Sequence, residues 1–249
     1  MAASAHNDER RMYGDLAWAW PVLFGGPEGS VEESERFVSL IRRHAEIEVK
    51  ALLNLGSGAG GNDCTLKKHF QVTGIDPSAG MQQTAKRQNP EVRYLLGDMR
   101  SLRLAERFDA VVSFDSIDYM QTEDELQAAF TTAFLHLKPG GVFVTYQEDI
   151  PGRFRQNDTR VHAGAAGDVE LTFIENSYDP DPTDTTYECT FVYLIRRSGK
   201  LEIETDHHVL GLFETETWLD LLRKTGFEIR AVLDGEPEQC ITFVCVKPR

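Results

Sequence analysis

The sequence predicts an α/β fold: a Rossmann-like, doubly wound, seven-stranded and mostly parallel sheet with an antiparallel β insertion, or cap, after the fifth strand. Three observations predict it. Short apolar runs alternate with helical patterns from Ala51 to about Gln147; the first run ends in a glycine turn, Gly56-Ser57-Gly58-Ala59-Gly60-Gly61; and beyond Glu148 apolar residues recur at every second position. The 249 residues, 41% of them hydrophobic, suit a single domain of four segments. These are an N-terminal arm and helix (1–50), a core (51–147), the cap (148–212), and a closing helix with a strand pair (213–249).

Taken in order, Tyr13, Trp18, Trp20 and Phe24 make an aromatic arm that suits a latch on the domain or a lid over a ligand. Ser30 and Glu33 predict a capping box, and Phe37, Val38, Ile41 and Ala45 give the helix that follows one apolar face. Ala51–Leu55 is apolar on both faces, as a strand buried in a parallel sheet must be. Glycine admits positive φ and a close ligand, and a helix starting near Asn62 would offer free N–H groups there. Val72–Asp76 is the second strand. Asp76 lies 76 − 56 = 20 residues past the first glycine, the spacing at which a carboxylate meets ribose hydroxyls.

A helix opens at Pro77-Ser78-Ala79-Gly80-Met81 and runs to about Gln88; Val92–Leu96 and Phe108–Phe114 are the third and fourth strands. Thr122 to Glu125 is a second capping box. Its helix turns Leu126, Phe130, Phe134 and Leu137 inward and stops at Lys138-Pro139-Gly140-Gly141, before a fifth strand at Val142–Tyr146. In the cap, Val169-x-Leu171-x-Phe173, Tyr187-x-Cys189-x-Phe191-x-Tyr193-x-Ile195 and Leu201-Glu202-Ile203-Glu204 read as half-buried antiparallel strands, with turns at Asp179–Asp184 and Arg197–Lys200. A helix over about Thr215–Lys224 ends at Gly226. Strands at Phe227–Leu233 and Ile241–Val246 flank a Gly235-Glu236-Pro237 turn.

A net charge of −14 argues against nucleic acid and anionic membrane as partners, and suits a neutral or cationic small molecule. No run approaches the roughly 20 apolar residues of a membrane span, and Met1–Arg11 is polar, so a cytoplasmic location is expected. Cys64, Cys189, Cys240 and Cys245 lack metal-ligand spacing and read as reduced thiols, with no metal.

On Asn54-Leu55-Gly56-Ser57-Gly58-Ala59-Gly60, Gly74-Ile75-Asp76-Pro77-Ser78, Gly97-Asp98-Met99, Phe108-Asp109-Ala110-Val111-Val112 and Leu137-Lys138-Pro139-Gly140-Gly141, the chain resembles the class I S-adenosylmethionine-dependent methyltransferases. Its aromatic arm, insertion and His207–Phe213 segment look most like the sugar-amine N,N-dimethyltransferases and glycine N-methyltransferase relatives. The resemblance implies S-adenosyl-L-methionine as cofactor. It places Gly56, Ser57 and Gly58 under the methionine part, Asp76 with Pro77 and Met81 at the ribose, and Asp98 beside Met99 at the adenine. Phe114, Asp115 and Tyr13 would lie near the sulfonium. Many relatives carry an acid where this chain has Asn54, whose carbonyl can still accept a hydrogen bond.

Methyl transfer is an in-line displacement, so the site must align its reactants and remove a proton. Tyr119 and Tyr13 are the candidate catalytic groups, Asp118 a candidate for a substrate ammonium, and His208 or His207 a third polar ring, since only one of two adjacent strand residues faces inward. Arg153 and Arg155 are candidates for an anionic substrate group. The expected reaction is methylation of a small-molecule amine. Alternatives are O-methylation, an NAD(P)-dependent oxidoreductase, and a cofactor-binding protein without transferase activity. The edge of the inserted sheet could pair two chains as a homodimer.

Overall fold

The computed structural model describes residues 10–24, 28–235 and 240–249. A short 3-10 turn, Ala17–Ala19, leads into α1 (Trp20–Leu23), and α2 (Val31–His44) precedes the sheet. The core then alternates β1 (Ala51–Leu55), α3 (Asp63–Leu66), β2 (Gln71–Asp76), α4 (Ala79–Gln88), β3 (Arg93–Leu96), β4 (Phe108–Ser113), a 3-10 turn (Asp115–Tyr119), α5 (Glu123–His136) and β5 (Leu137–Gln147). The cap comprises β6 (Asp158–Ala166), β7 (Val169–Tyr178), β8 (Thr186–Arg197) and β9 (Lys200–Gly211). The chain closes with α6 (Thr215–Thr225), β10 (Glu228–Asp234) and β11 (Ile241–Val246).

Two sheets result. Seven strands run in the order β10-β11-β5-β4-β1-β2-β3, parallel except where β11 pairs antiparallel with both β5 and β10. This is the seven-stranded, mostly parallel sheet expected from the sequence. The alternation of side chains along β1 divides the core. Leu53 and Leu55 face a layer with Phe130, Phe143, Trp218 and Phe243, while Leu52 faces Phe37, Val72, Val112 and Val144. The second sheet, β6-β7-β8-β9, is an antiparallel meander. Its apolar face buries Leu171, Phe173, Tyr187, Cys189 and Tyr193 against Met12, Leu16, Ala19 and Leu23 of the arm. The arm is therefore a latch under the cap. Its Tyr13 also faces the cleft, as described below.

Several local expectations change. Ser30 has ψ near 6° instead of the extended backbone an N-cap needs, so no capping bond forms, and Glu33 accepts from Asn62 Nδ2 at 2.8 Å. The box at Thr122 holds in part: its side chain accepts from Glu125 N at 3.2 Å, but Glu125 reaches the N–H of Gln121 at 2.9 Å. The helix expected from Asn62 is the single turn α3, too short for an N-terminal anion site. β5 starts at Leu137, drawing the Pro-Gly-Gly stop into the strand before its regular pairing from Val142. β6 was not foreseen, because an edge strand exposed over most of its length carries little apolar alternation. Of the turn expected at Gly235-Glu236-Pro237, only Gly235 lies within the described residues. No helix among the described residues is long and apolar enough to cross a membrane.

Candidate active site

The carboxyl ends of β1, β2, β4 and β5 meet beneath the arm and cap, which is where an open α/β sheet binds its ligands. Past β1 the chain turns at Gly56 (φ +76°) and Gly58 (φ +52°), and the N–H groups of Gly56 and Ser57 both bond to Ile75 O, at 2.8 and 2.9 Å. A Cβ on Gly56 would fall 1.9 Å from Ser116 Oγ, whereas above Gly58 the space is open. Asp76 Oδ2 accepts from Gly58 N at 2.9 Å and Oδ1 from Ser78 N at 2.8 Å. This ties the carboxylate to the glycine turn. Ser57 Oγ is buried and has no partner among the described residues. An open cradle, a fixed acid and an orphaned hydroxyl fit a nucleoside cofactor.

Other positions in this half are more varied. Asp98 is clasped by Arg100, with Oδ2 2.6 Å from Nη2 and Oδ1 2.8 Å from the Arg100 N–H. The guanidinium bonds hold its carboxyl below the usual range, although burial alone would raise it. Met99 and Met81 are buried, Met81 against Ala17 and Ala59 and alongside Tyr13, and Pro77 is exposed. Phe114 stacks on Phe37 at 4.4 Å, so its ring belongs to the packing of α2. Asn54, 1% exposed, donates to Asp63 Oδ1 at 2.8 Å while its own Oδ1 has no partner among the described residues; it lies beneath the turn, not on the surface of the cleft. Burial pushes the Asp63 carboxyl up to about 6, against the hydrogen bonds from Asn54 and Tyr94.

On the acceptor side four residues from three elements join in a line. Tyr13 Oη lies 2.6 Å from Tyr119 Oη, which lies 2.5 Å from His208 Nδ1. His208 Nε2 lies 2.9 Å from Asp206 Oδ2, which also accepts from Met12 N at 2.7 Å. The rings pack with centroids 5.5 to 5.7 Å apart. Burial would raise the Asp206 carboxyl, but the bonds from His208 and Met12 bring it below its ordinary value, so it is ionised. An ionised Asp206 needs a donor, which assigns the proton to His208 Nε2 and leaves Nδ1 to accept from Tyr119. Burial raises both tyrosine pKa values, so both phenols are neutral and conduct hydrogen bonds without ionising. The adjacent His207 faces outward, as the strand alternation requires.

Two residues of this group were not singled out from the sequence. Asp206 shares a strand face with His208, so the Asp-x-His spacing was the available signal. Arg10, whose guanidinium lies 4.1 Å from the Tyr119 ring centroid and 5.3 Å from that of Tyr13, had none, because it sits in a uniformly polar stretch. Asp115 stands exposed at the start of the 3-10 turn, with its carboxyl raised to about 6 by the surrounding protein and by Glu33. Arg153 is paired with Asp234 at 2.6 Å. Among the described residues no group of three His, Cys, Asp or Glu could hold a metal.

A parallel sheet with a glycine cradle, a ribose-type acid at the second strand and a closed polar site on the acceptor side defines a nucleoside-cofactor transferase. A methyltransferase-domain family model matches residues 52–141. The chain is 32% identical over 205 residues to the dTDP-3-amino-3,6-dideoxy-alpha-D-glucopyranose N,N-dimethyltransferase of Streptomyces fradiae, covering 82% of this chain and 79% of that protein. It is 37% identical over 124 residues to the dTDP-3-amino-3,4,6-trideoxy-alpha-D-glucopyranose N,N-dimethyltransferase of Streptomyces venezuelae, a match spanning about half of each chain, 49% and 52%. The crystal structure of Streptomyces venezuelae DesVI superposes with a TM-score of 0.82 at 26% identity, covering 94% of this chain and 96% of that one. The chain belongs to the class I S-adenosylmethionine-dependent methyltransferases. Its cofactor is S-adenosyl-L-methionine, and the nicotinamide alternative falls away.

Proposed function

We propose that this enzyme methylates an amine nitrogen on a small sugar-type acceptor, and that Tyr13, Tyr119 and His208 carry away the proton the reaction releases. The observation that carries this reading is the continuous line from Tyr13 to Asp206, which begins beside the cofactor cradle and ends on an ionised carboxylate. The names of the two relatives, both sugar-amine N,N-dimethyltransferases, support the acceptor class.

The cofactor supplies a methyl group already activated on a positively charged sulfur. The chain's work is therefore alignment and proton removal. Gly56, Ser57 and Gly58 support the methionine part from below. Asp76 takes the ribose hydroxyls, with Pro77 and Met81 shaping the turn around them, and Asp98 beside Met99 takes the adenine amino group. Asn54 acts through the buried pair it forms with Asp63, and the backbone at Phe114 and Asp115 borders the transfer position. The nitrogen that takes the methyl group would give up one proton to Tyr13 Oη while Tyr13 passes its own to Tyr119 Oη and Tyr119 its own to His208 Nδ1, so both phenols end neutral. The resulting imidazolium rests against Asp206. The arm and cap exclude water, and the segments 1–50, 51–147, 148–212 and 213–249 act as one catalytic unit.

The test is incubation with S-adenosylmethionine and amino hexoses, each with and without a thymidine diphosphate group, with products read by mass spectrometry. Methyl increments on nitrogen, with S-adenosylhomocysteine formed in step, support the reading. Ethers or esters as the only products would contradict it. We also infer a homodimer through the cap, whose edge strands β6 and β9 expose Val161 and Ile203; a monomer mass in light scattering would rule it out.

A further inference from the structure

Beside Tyr119 of the tyrosine–histidine line, the ends of two neighbouring parallel strands bring acids together. Asp118 lies in the 3-10 turn after β4, and Glu148 and Asp149 follow β5 directly. The cap adds Arg160 on β6 and Glu175, its direct partner across β7, with Tyr187 Oη donating to Asp149 Oδ2 at 2.7 Å. Arg160 Nη1 is 3.3 Å from Glu148 Oε1 and its Nε 3.5 Å from Asp158 Oδ2, so the one guanidinium here is already shared between two carboxylates and pairs with neither Asp118 nor Asp149. Glu148 and Asp149 are enclosed by protein yet keep part of their surface open to solvent, as groups lining a cavity do. Asp118 is only 8% exposed, and its Oδ2 has no hydrogen-bond partner among the described residues. A buried carboxyl oxygen without a donor, beside further carboxyls, holds a proton until a cation takes its place, and a bound ammonium would displace that proton.

That cation is not the nitrogen that reacts. A carboxylate touching the reacting amine would favour its ammonium form and withhold the lone pair. The acids therefore address a different nitrogen. We propose that Asp118, Glu148 and Asp149 form a subsite for a second, non-reacting ammonium group, so that the acceptor is a small molecule bearing at least two amines. The proposal rests on the amine reading above and extends it to the acceptor's own charge. Burial raises Asp118 well above the ordinary carboxyl value, and raises Glu148 to about 8 with help from Asp149 and Asp115. A bound ammonium would relieve that repulsion. A diphosphate set there would add to it.

The test is calorimetric titration of the S-adenosylhomocysteine-saturated protein with a monoamino hexose, the same hexose bearing a second amine, and thymidine diphosphate. The diamino sugar is expected to bind at least about tenfold more tightly than the monoamino sugar, a difference of about 1.4 kcal/mol. Asp118→Asn with Glu148→Gln should abolish most of that preference. Glu148→Gln alone, at a partly exposed position, should reduce it even if the double variant fails to fold. Equal binding of the two sugars, no binding of either, a preference that survives Glu148→Gln, or tighter binding of thymidine diphosphate would each overturn the proposal. Turnover separates it from the parent reading: a diamine preference without any N-methyl product refutes amine methylation and leaves the cation subsite standing.

Discussion

At Asp76 two backbone N–H groups already hold the carboxylate, one on each oxygen, so the acid is set before any ligand arrives. Hydrogen bonds to a charged group contribute about 1.5–3 kcal/mol. Asp76→Asn should therefore weaken S-adenosylhomocysteine about 10- to 100-fold by calorimetry. Asp206 acts one step away from the reacting atoms, as a positioning residue for the His208 tautomer. Asp206→Asn should lower kcat about 10-fold or more and leave the KM for S-adenosylmethionine within twofold, a split that general destabilisation would not produce. The glycine turn and the acid at the end of β2 were legible because backbone geometry and spacing constrain them together: glycine adopts the positive φ at Gly56 and Gly58 without steric cost, and the βαβ repeat fixes the distance to Asp76. Asp206 and Arg10 were not, because their roles come from contacts between segments far apart in sequence, Asp206 with the Met12 N–H of the arm and Arg10 with the Tyr119 ring of the 3-10 turn. The Asn54–Asp63 pair was hidden for the same kind of reason: nothing local shows that an acid after the glycines folds back under β1.

Among the elements, the cap decides whether the polar line stays closed. Gly211, the last residue of β9, comes so near Met120 that a Cβ would sit 2.1 Å from its carbonyl oxygen. Gly211→Ala should push β9 away from the 3-10 turn that carries Tyr119 and lengthen its bond to His208. The expected result is a loss of about 1–3 kcal/mol in denaturant unfolding and a kcat reduced more than the KM for the cofactor; an unchanged kcat would show that the line need not be tight. The central strands β1, β4 and β11 were readable because they are buried on both faces and so almost continuously apolar. β7 and β8 were readable for the opposite reason, a clean period of two. β6 offers neither pattern, since it is the exposed edge of the cap sheet and packs little apolar surface. The capping box at Ser30 failed because the backbone leading into α2 is not extended there, a property that sequence spacing does not carry.

For the whole molecule, the net charge of −14 overstates the charge of the folded chain, because Asp63 is buried and Asp115 and Glu148 stand among other acids, where ionisation is disfavoured. Asp63 and Asp115, each raised to about 6 from an ordinary 3.8, and Glu148, raised to about 8 from 4.5, keep protons in the folded chain that the unfolded chain has already released. Stability must then fall as pH rises through roughly 4 to 8. Urea midpoints should be higher at pH 5.5 than at pH 8, and Asp63→Asn should flatten the lower part of that slope; a midpoint that rises with pH would contradict the burial described here. The proposed proton path passes through Tyr119. The decisive measurement is the single-turnover rate of Tyr119→Phe with S-adenosylmethionine and an amino-sugar acceptor that the wild-type enzyme methylates. A fall of about 100-fold or more, with S-adenosylhomocysteine affinity within twofold of wild type, is the predicted result. A phenylalanine variant that transfers the methyl group at the wild-type rate would contradict the account.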